Sequence, residues 1–153
     1  TSHPNALVAD AIKRGKIPEL ADKDQIIRRE VKYGKNSRID ILLEKAGRKT
    51  YVEVKNVHLS RQKGLAEFPD SVTARGAKHL VELGDMVAHG HRAVMVYLVQ
   101  RQDAKEFSIA GDIDPTYAET LKTALSKGVE ALCYRCKMTT KSIVVDKPVA
   151  MKL

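Results

Sequence analysis

Asp40 and the later triplet Glu53-Val54-Lys55 are two carboxylates and an amine that one hairpin can bring together. If the intervening turn centres on Ala46-Gly47, cross-strand partners have numbers summing to 93, which sets Asp40 against Glu53 and Arg38 against Lys55. Strand alternation then puts Asp40, Glu53 and Lys55 on one side, with Ile39, Ile41, Leu43, Val52 and Val54 on the other. Two acidic groups so close repel in a partly buried site unless a cation neutralises them, and hard oxygen donors suit Mg²⁺ or Mn²⁺. Water on such a cation ionises more readily and becomes a better nucleophile. A neighbouring lysine can orient it or offset charge developing on a phosphate. That is the chemistry of phosphodiester hydrolysis. The motif is short, and the same letters also fit an ordinary solvated cross-strand surface.

A second group lies on the next helix. Arg75, Lys78, His79 and Glu82 recur at steps of three and four and so share one helical face, with Ala77, Leu80, Val81 and Val87 on other faces. Guanidinium, ammonium and imidazole are all phosphate donors, so this stripe reads either as a phosphate clamp or as a solvent-facing surface.

The elements that must position these groups follow from periodicity and punctuation. Leu7, Val8, Ala11 and Ile12 predict a first helix over 5–14, stopped by Gly15 and Pro18. Three extended stretches rich in Ile, Val and Tyr, at 25–33, 37–44 and 49–57, are broken at Gly34 and Gly47 and predict an antiparallel meander. After a loop containing Pro69, Thr73 can cap a helix reaching about residue 88 before Gly90. The continuous apolar run 93–99 predicts a central strand covered on both faces. Asp114-Pro115 opens a last helix through Lys127, and 129–137 and 142–149 read as closing strands. This order points to an α/β or α+β fold, a mixed β-sheet flanked by helices.

Composition narrows the function. The 153 residues carry 27 Lys+Arg against 19 Asp+Glu, and residues 1–63 hold 15 of those bases against 8 acids. A basic excess concentrated beside the carboxylate hairpin suits a polyanionic partner, although a solvated basic surface gives the same count. The expectation is one soluble domain, since 43% hydrophobic residues suffice for a core and no apolar run approaches a membrane span. Thr1-Ser2-His3-Pro4 has neither an initiator Met nor a leader-like segment, which suggests a chain beginning inside a longer cytoplasmic product. Two cysteines, Cys133 and Cys136, make no disulfide framework and agree with a reducing compartment.

Other signals carry less. The C-x-x-C of Cys133 and Cys136 occurs once, inside an expected strand where residues three apart point to opposite faces, so inert thiols are expected there. His89 and His91 flank a helix-ending glycine, and His3 and His58 stand alone. Neither a glycine-rich phosphate loop nor a nucleophile elbow is present, which argues against an NTPase or a serine hydrolase.

Taken together, Glu30-Val31-Lys32-Tyr33-Gly34, Asn36-Ser37-Arg38-Ile39-Asp40, Glu53-Val54-Lys55-Asn56-Val57 and the stretch from Phe68-Pro69-Asp70 to Lys78-His79-Leu80 closely resemble the sugar fermentation stimulation protein A family of bacteria and archaea. The likeness continues through Asp114-Pro115 and covers essentially the whole chain. It implies a PD-(D/E)xK restriction-endonuclease-like core over 1–153. The OB-like nucleic-acid-binding domain that precedes this core in the family has no counterpart segment in this sequence, which leads one to expect weak binding by the chain alone. Carried over by position, the resemblance makes Asp40 and Glu53 ligands of Mg²⁺ or Mn²⁺, with the Val54 carbonyl a third, and makes Lys55 the catalytic lysine. Glu30 is a candidate extra acid, and Arg38, Asn56, Arg75, Lys78 and His79 are candidate contacts to DNA or RNA. The function so implied is a metal-dependent nuclease. The alternative is a non-catalytic DNA-binding regulator of sugar (maltose) utilisation genes. The expected partner is nucleic acid and not a membrane, and a homodimer is left open.

Overall fold

The computed structural model describes residues 3–153. Helix α1 (Pro4–Lys13), with proline in its first turn, leads through a 3-10 turn at Pro18–Leu20 into strands β1 (Ile26–Tyr33), β2 (Ser37–Lys45) and β3 (Arg48–Val57). A short hairpin of β4 (Leu59–Gln62) and β5 (Leu65–Phe68) precedes α2 (Ala74–Ala88). Then come β6 (Arg92–Val99), β7 (Glu106–Ile109), α3 (Pro115–Ser126), β8 (Glu130–Met138), β9 (Ile143–Pro148) and β10 (Ala150–Lys152).

Six strands form one mixed sheet in the order β1-β2-β3-β6-β8-β9. β1, β2 and β3 make the expected antiparallel meander, β6 and β8 join parallel through helical crossovers, and β9 returns antiparallel. β6 is central, and all but Arg92 of its residues are buried, as its unbroken apolar run requires. One face packs against α1, where Val8, Ile12, Ile17 and Leu20 meet Ile41, Val52, Val54 and Val96. The other packs under α2 and α3, where Leu80, Leu83, Tyr117 and Leu121 meet Leu42, Tyr51, Met95 and Tyr97.

A second sheet of four short strands, β10-β7-β5-β4, was not expected from the sequence. Its strands are of four residues or fewer, and β4 presents two half-buried residues followed by two exposed ones, so it lacks the alternation that marks a strand. Tertiary pairing supplies what local pattern does not: β7 pairs parallel with β5, and Ala66 and Phe107 close the core beneath α2 and α3.

Two side-chain caps lock the helices to this frame. Thr73 Oγ1 accepts from Gly76 N at the start of α2 (3.0 Å). Asp114 Oδ1 accepts from Tyr117 N at the start of α3 (3.0 Å), while its Oδ2 accepts from Thr73 N (2.8 Å), so one carboxylate ties both helix starts together. Cys133 and Cys136 are free thiols on opposite faces of the sheet, and burial pushes them up to about 12 and about 11. Among the described residues, no helix is long and apolar enough to cross a membrane.

Candidate functional site

The hairpin register is the one the turn at Ala46-Gly47 dictates: Ile41 opposes Val52 and Lys45 opposes Arg48. The β2–β3 ladder stops at Ile41 and Val52, however, and the side chain of Asp40 takes over where the backbone pairing ends. Its Oδ2 accepts the Val54 N–H at 2.7 Å. On the other side of β2, Arg29 pairs with Ile41 and Val31 with Ile39, leaving Glu30 and Asp40 outside the pairing, with Glu30 in the left-handed region at φ 55°. A non-glycine residue rarely takes that conformation, and here it marks a kink.

The kink overturns part of the alternation argument. Ile41 belongs to the core under α1, whereas Ile39 lies two residues away in the core under α2 and α3, so β2 changes face at Asp40. Arg38 follows from this. Ser37 and Ile39 face α2, which turns Arg38 away from Lys55 instead of placing the two on one face, and its Nη1 donates to the Glu30 carbonyl (3.2 Å). The Asp40 carboxylate sits at the break itself, near Glu53 on one side. From the other, Asn5 Nδ2 in the first turn of α1 donates to its Oδ1 (3.0 Å).

Glu53 and Lys55 project from β3 under α2, with Glu53 only 2% exposed. Lys55 Nζ lies 3.7 Å from Glu53 Oε2 and 3.4 Å from His79 Nδ1. His79, 8% exposed, brings Nδ1 to 2.5 Å from Glu53 Oε2. The approach is close but not aligned as a hydrogen bond, and Oε2 stays buried without a donor among the described residues. Burial by itself would raise Glu53, but the polar contacts of His79 and Asp40 and the charge of Lys55 outweigh it and hold the carboxyl below its ordinary range. Asp40 takes the opposite course: burial, then the neighbouring Glu53, pushes it up to about 7 against the bonds from Val54 and Asn5. A pair that can ionise fully only at such a cost is what a divalent cation would relieve.

The α2 stripe divides. His79 faces the sheet and Glu82 receives the Ser37 hydroxyl (2.6 and 2.7 Å to its two oxygens), while Arg75 and Lys78 are exposed to solvent. Val81, expected on the apolar face, is 54% exposed, and Leu83 is buried instead. Asn56 lies on the α1 side of β3, accepting from Gln100 Nε2 (3.0 Å) with its own Nδ2 2.8 Å from His58 Nε2. Glu30 is exposed at the kink. The Val54 N–H and carbonyl lie on the strand edge facing β2, so the carbonyl shares the gap with Asp40. Among the described residues, no group of three or more His, Cys, Asp or Glu forms a ready-made metal cage. A cation seated here would keep waters, as Mg²⁺ does. Sequence reasoning missed Asn5 and the placement of Glu82, because both depend on helices docking on opposite faces of a kinked strand. A cleft of about 820 Å³ lies at the far end of the hairpin among Lys45, Arg48, Lys49 and Arg92, away from Asp40 and Glu53. Lys45 and Arg92 there are already held by Asp22 and Glu130.

Fold and site thus define a mixed α/β protein with three flanking helices and a carboxylate pair, a lysine and a histidine gathered where one strand changes face. The sequence profile described as "Sugar fermentation stimulation protein RE domain" matches residues 2–142, and the chain belongs to the sugar fermentation stimulation protein family. It is 62% identical over 148 residues to a sugar fermentation stimulation protein homolog of Rhodospirillum centenum, covering 96% of this chain and 63% of the relative. It is 58% identical over 154 residues to the homolog of Paramagnetospirillum magneticum, covering 100% and 64%. The solved structure of Pyrococcus furiosus SfsA in complex with Ca²⁺ superposes with a TM-score of 0.85 at 30% identity, over 95% of this chain and 62% of that one. The chain therefore spans a little under two thirds of the length of these relatives.

Proposed function

We propose that this chain is a divalent-metal-dependent nuclease domain that hydrolyses phosphodiester bonds in DNA or RNA. The observation that carries the reading is the juxtaposition of Asp40 with a buried Glu53, whose Oε2 is approached by His79 Nδ1 and by Lys55 Nζ. Asp40, Glu53 and the Val54 carbonyl would hold the cation. When bound there, Mg²⁺ or Mn²⁺ would supply an acidified water and offset charge on the phosphate. Asn5 and the Val54 N–H orient Asp40, His79 keeps Glu53 ionised, and Lys55 presents an ammonium where charge develops on a phosphate oxygen. The Ca²⁺ in the Pyrococcus furiosus complex supports a divalent site, since Ca²⁺ and Mg²⁺ share a preference for oxygen donors.

The test is cleavage of labelled single- and double-stranded DNA and RNA with and without Mg²⁺ or Mn²⁺, in wild type, Asp40→Asn, Glu53→Gln and Lys55→Ala. Metal-dependent cleavage that falls by orders of magnitude in all three variants is expected. Cleavage unchanged in both carboxylate variants refutes the metal assignment. The second reading, a non-catalytic DNA-binding regulator of sugar utilisation genes, draws on the exposed bases Arg38, Arg75 and Lys78. It takes precedence if wild type binds DNA but shows no metal-dependent cleavage.

A further inference from the structure

Tyr33 ends β1 on the α2 side of the sheet, 8% exposed, its ring 5.5 Å from that of Tyr51. Its hydroxyl is buried without a hydrogen-bond partner among the described residues. A buried polar group left in that state is destabilising and calls for an explanation. The surroundings supply one. Tyr33 opposes Ser37 in the β1–β2 ladder, and Ser37 Oγ holds the carboxylate of Glu82. Tyr51 lies two residues before Glu53 on the same face of β3. After burial itself, the charges that raise the Tyr33 phenol are, in order, Glu53, Glu82 and Asp40. The hydroxyl therefore lies on the face of the sheet that carries Glu53 and receives Glu82, and among the described residues it bonds to neither.

We infer that Tyr33 and Glu82 form an outer pocket for the water molecules of a divalent cation held by Asp40 and Glu53. This rests on the cation reading above. Waters on a divalent cation are strong donors, and the pocket offers acceptors to match: the phenol oxygen and the Glu82 oxygens, which share the single Ser37 proton and keep lone pairs free. Gly34 belongs to the same construction. A Cβ there would come within 2.9 Å of Glu82 Oε2, and the residue has φ +58°, so the turn between β1 and β2 is shaped to admit this carboxylate. A cation bound through two carboxylates and its own waters would need no third acidic ligand in direct contact.

The experiment is calorimetric titration of the chain with Ca²⁺ and with Mg²⁺, paired with urea unfolding in the absence of metal, for wild type, Tyr33→Phe, Glu82→Gln and Asp40→Asn. Removing a group that holds metal-bound water typically weakens metal binding 10–100-fold. Tyr33→Phe is expected to lose affinity in that range while metal-free stability stays level or rises, because the ring remains and an unpaired hydroxyl has gone. Glu82→Gln is expected to lose affinity likewise, and it carries the test if the phenylalanine variant fails to fold. If Asp40→Asn abolishes binding while Tyr33→Phe and Glu82→Gln bind like wild type, the outer pocket is refuted and the cation site stands. If Asp40→Asn binds like wild type, the cation reading falls and this inference with it. A Tyr33→Phe variant with reduced stability and unchanged affinity shows a packing role and overturns the proposal.

Discussion

Asn5 Nδ2 donates to Asp40 Oδ1 over 3.0 Å, so the first turn of α1 holds a carboxylate on a strand 35 positions later, from the face of the sheet opposite His79 and α2. Together with the Val54 N–H, this bond occupies one lone pair on each Asp40 oxygen and directs the remaining pairs toward Glu53. Replacing Asn5 by Ala should therefore loosen Asp40 without disturbing the sheet. The expected outcome is Ca²⁺ affinity reduced about 3- to 10-fold by calorimetry, with a metal-free stability loss of about 0.5–1.5 kcal/mol in urea, the scale of one hydrogen bond.

Asp40 also sets a pH dependence. Its carboxyl titrates at about 7 in the folded chain against 3.8 as a free group, so between those values the folded state holds a proton that the unfolded state has released. That contribution to stability is complete below about pH 4 and is lost as pH rises through about 7, with a slope no steeper than about 1.4 kcal/mol per pH unit for one proton. Glu53, held low, acts at more acidic pH and leaves this window to Asp40. Metal-free urea midpoints are expected to fall between pH 5 and 8 in wild type and to flatten in Asp40→Asn, whose amide can still accept from Val54.

Asp114 predicts a purely structural effect. It is 3% exposed and accepts from Tyr117 N and Thr73 N, so Asp114→Ala strands two backbone donors at once. A loss of about 2–4 kcal/mol in denaturant unfolding is expected, the sum of a helix cap and a buried charge-assisted bond. Affinity for metal in the fraction that remains folded should be unchanged.

Arg75 and Lys78 are exposed on α2, on the same helix as the buried His79. If they contact phosphates, each alanine variant lowers the slope of log affinity against log salt by about 1 and weakens DNA of different sequences equally. Fluorescence anisotropy over a salt series reads this directly, and Ca²⁺ affinity should not move, since neither side chain is among the groups that act on Asp40 or Glu53.

Much of the fold is written in local pattern. Stretches rich in Ile, Val and Tyr mark β1, β2 and β3, the Ala46-Gly47 turn fixes the β2–β3 register, Thr73 and Asp114 announce helix starts, and the unbroken run of β6 marks the centre of the sheet. These are properties of neighbours along the chain, and spacing exposes them. The same register brought Asp40, Glu53 and Lys55 into view as a group. Tertiary structure decided the rest. The second sheet exists only because short strands without alternation find partners far along the chain, β7 against β5 and β10 against β7. The site took its form from the change of face at Glu30 and Asp40, which sends Ile39 and Ile41 into different cores and turns Arg38 away from Lys55. A strand read by strict alternation cannot show such a kink. It arises where the Asp40 side chain, gripped by Asn5 and Val54, replaces a rung of the ladder. Likewise, the helical stripe of Arg75, Lys78, His79 and Glu82 could be drawn from spacing, but only the docking of α2 determined that His79 would be buried against Glu53 while Arg75 and Lys78 stayed in solvent.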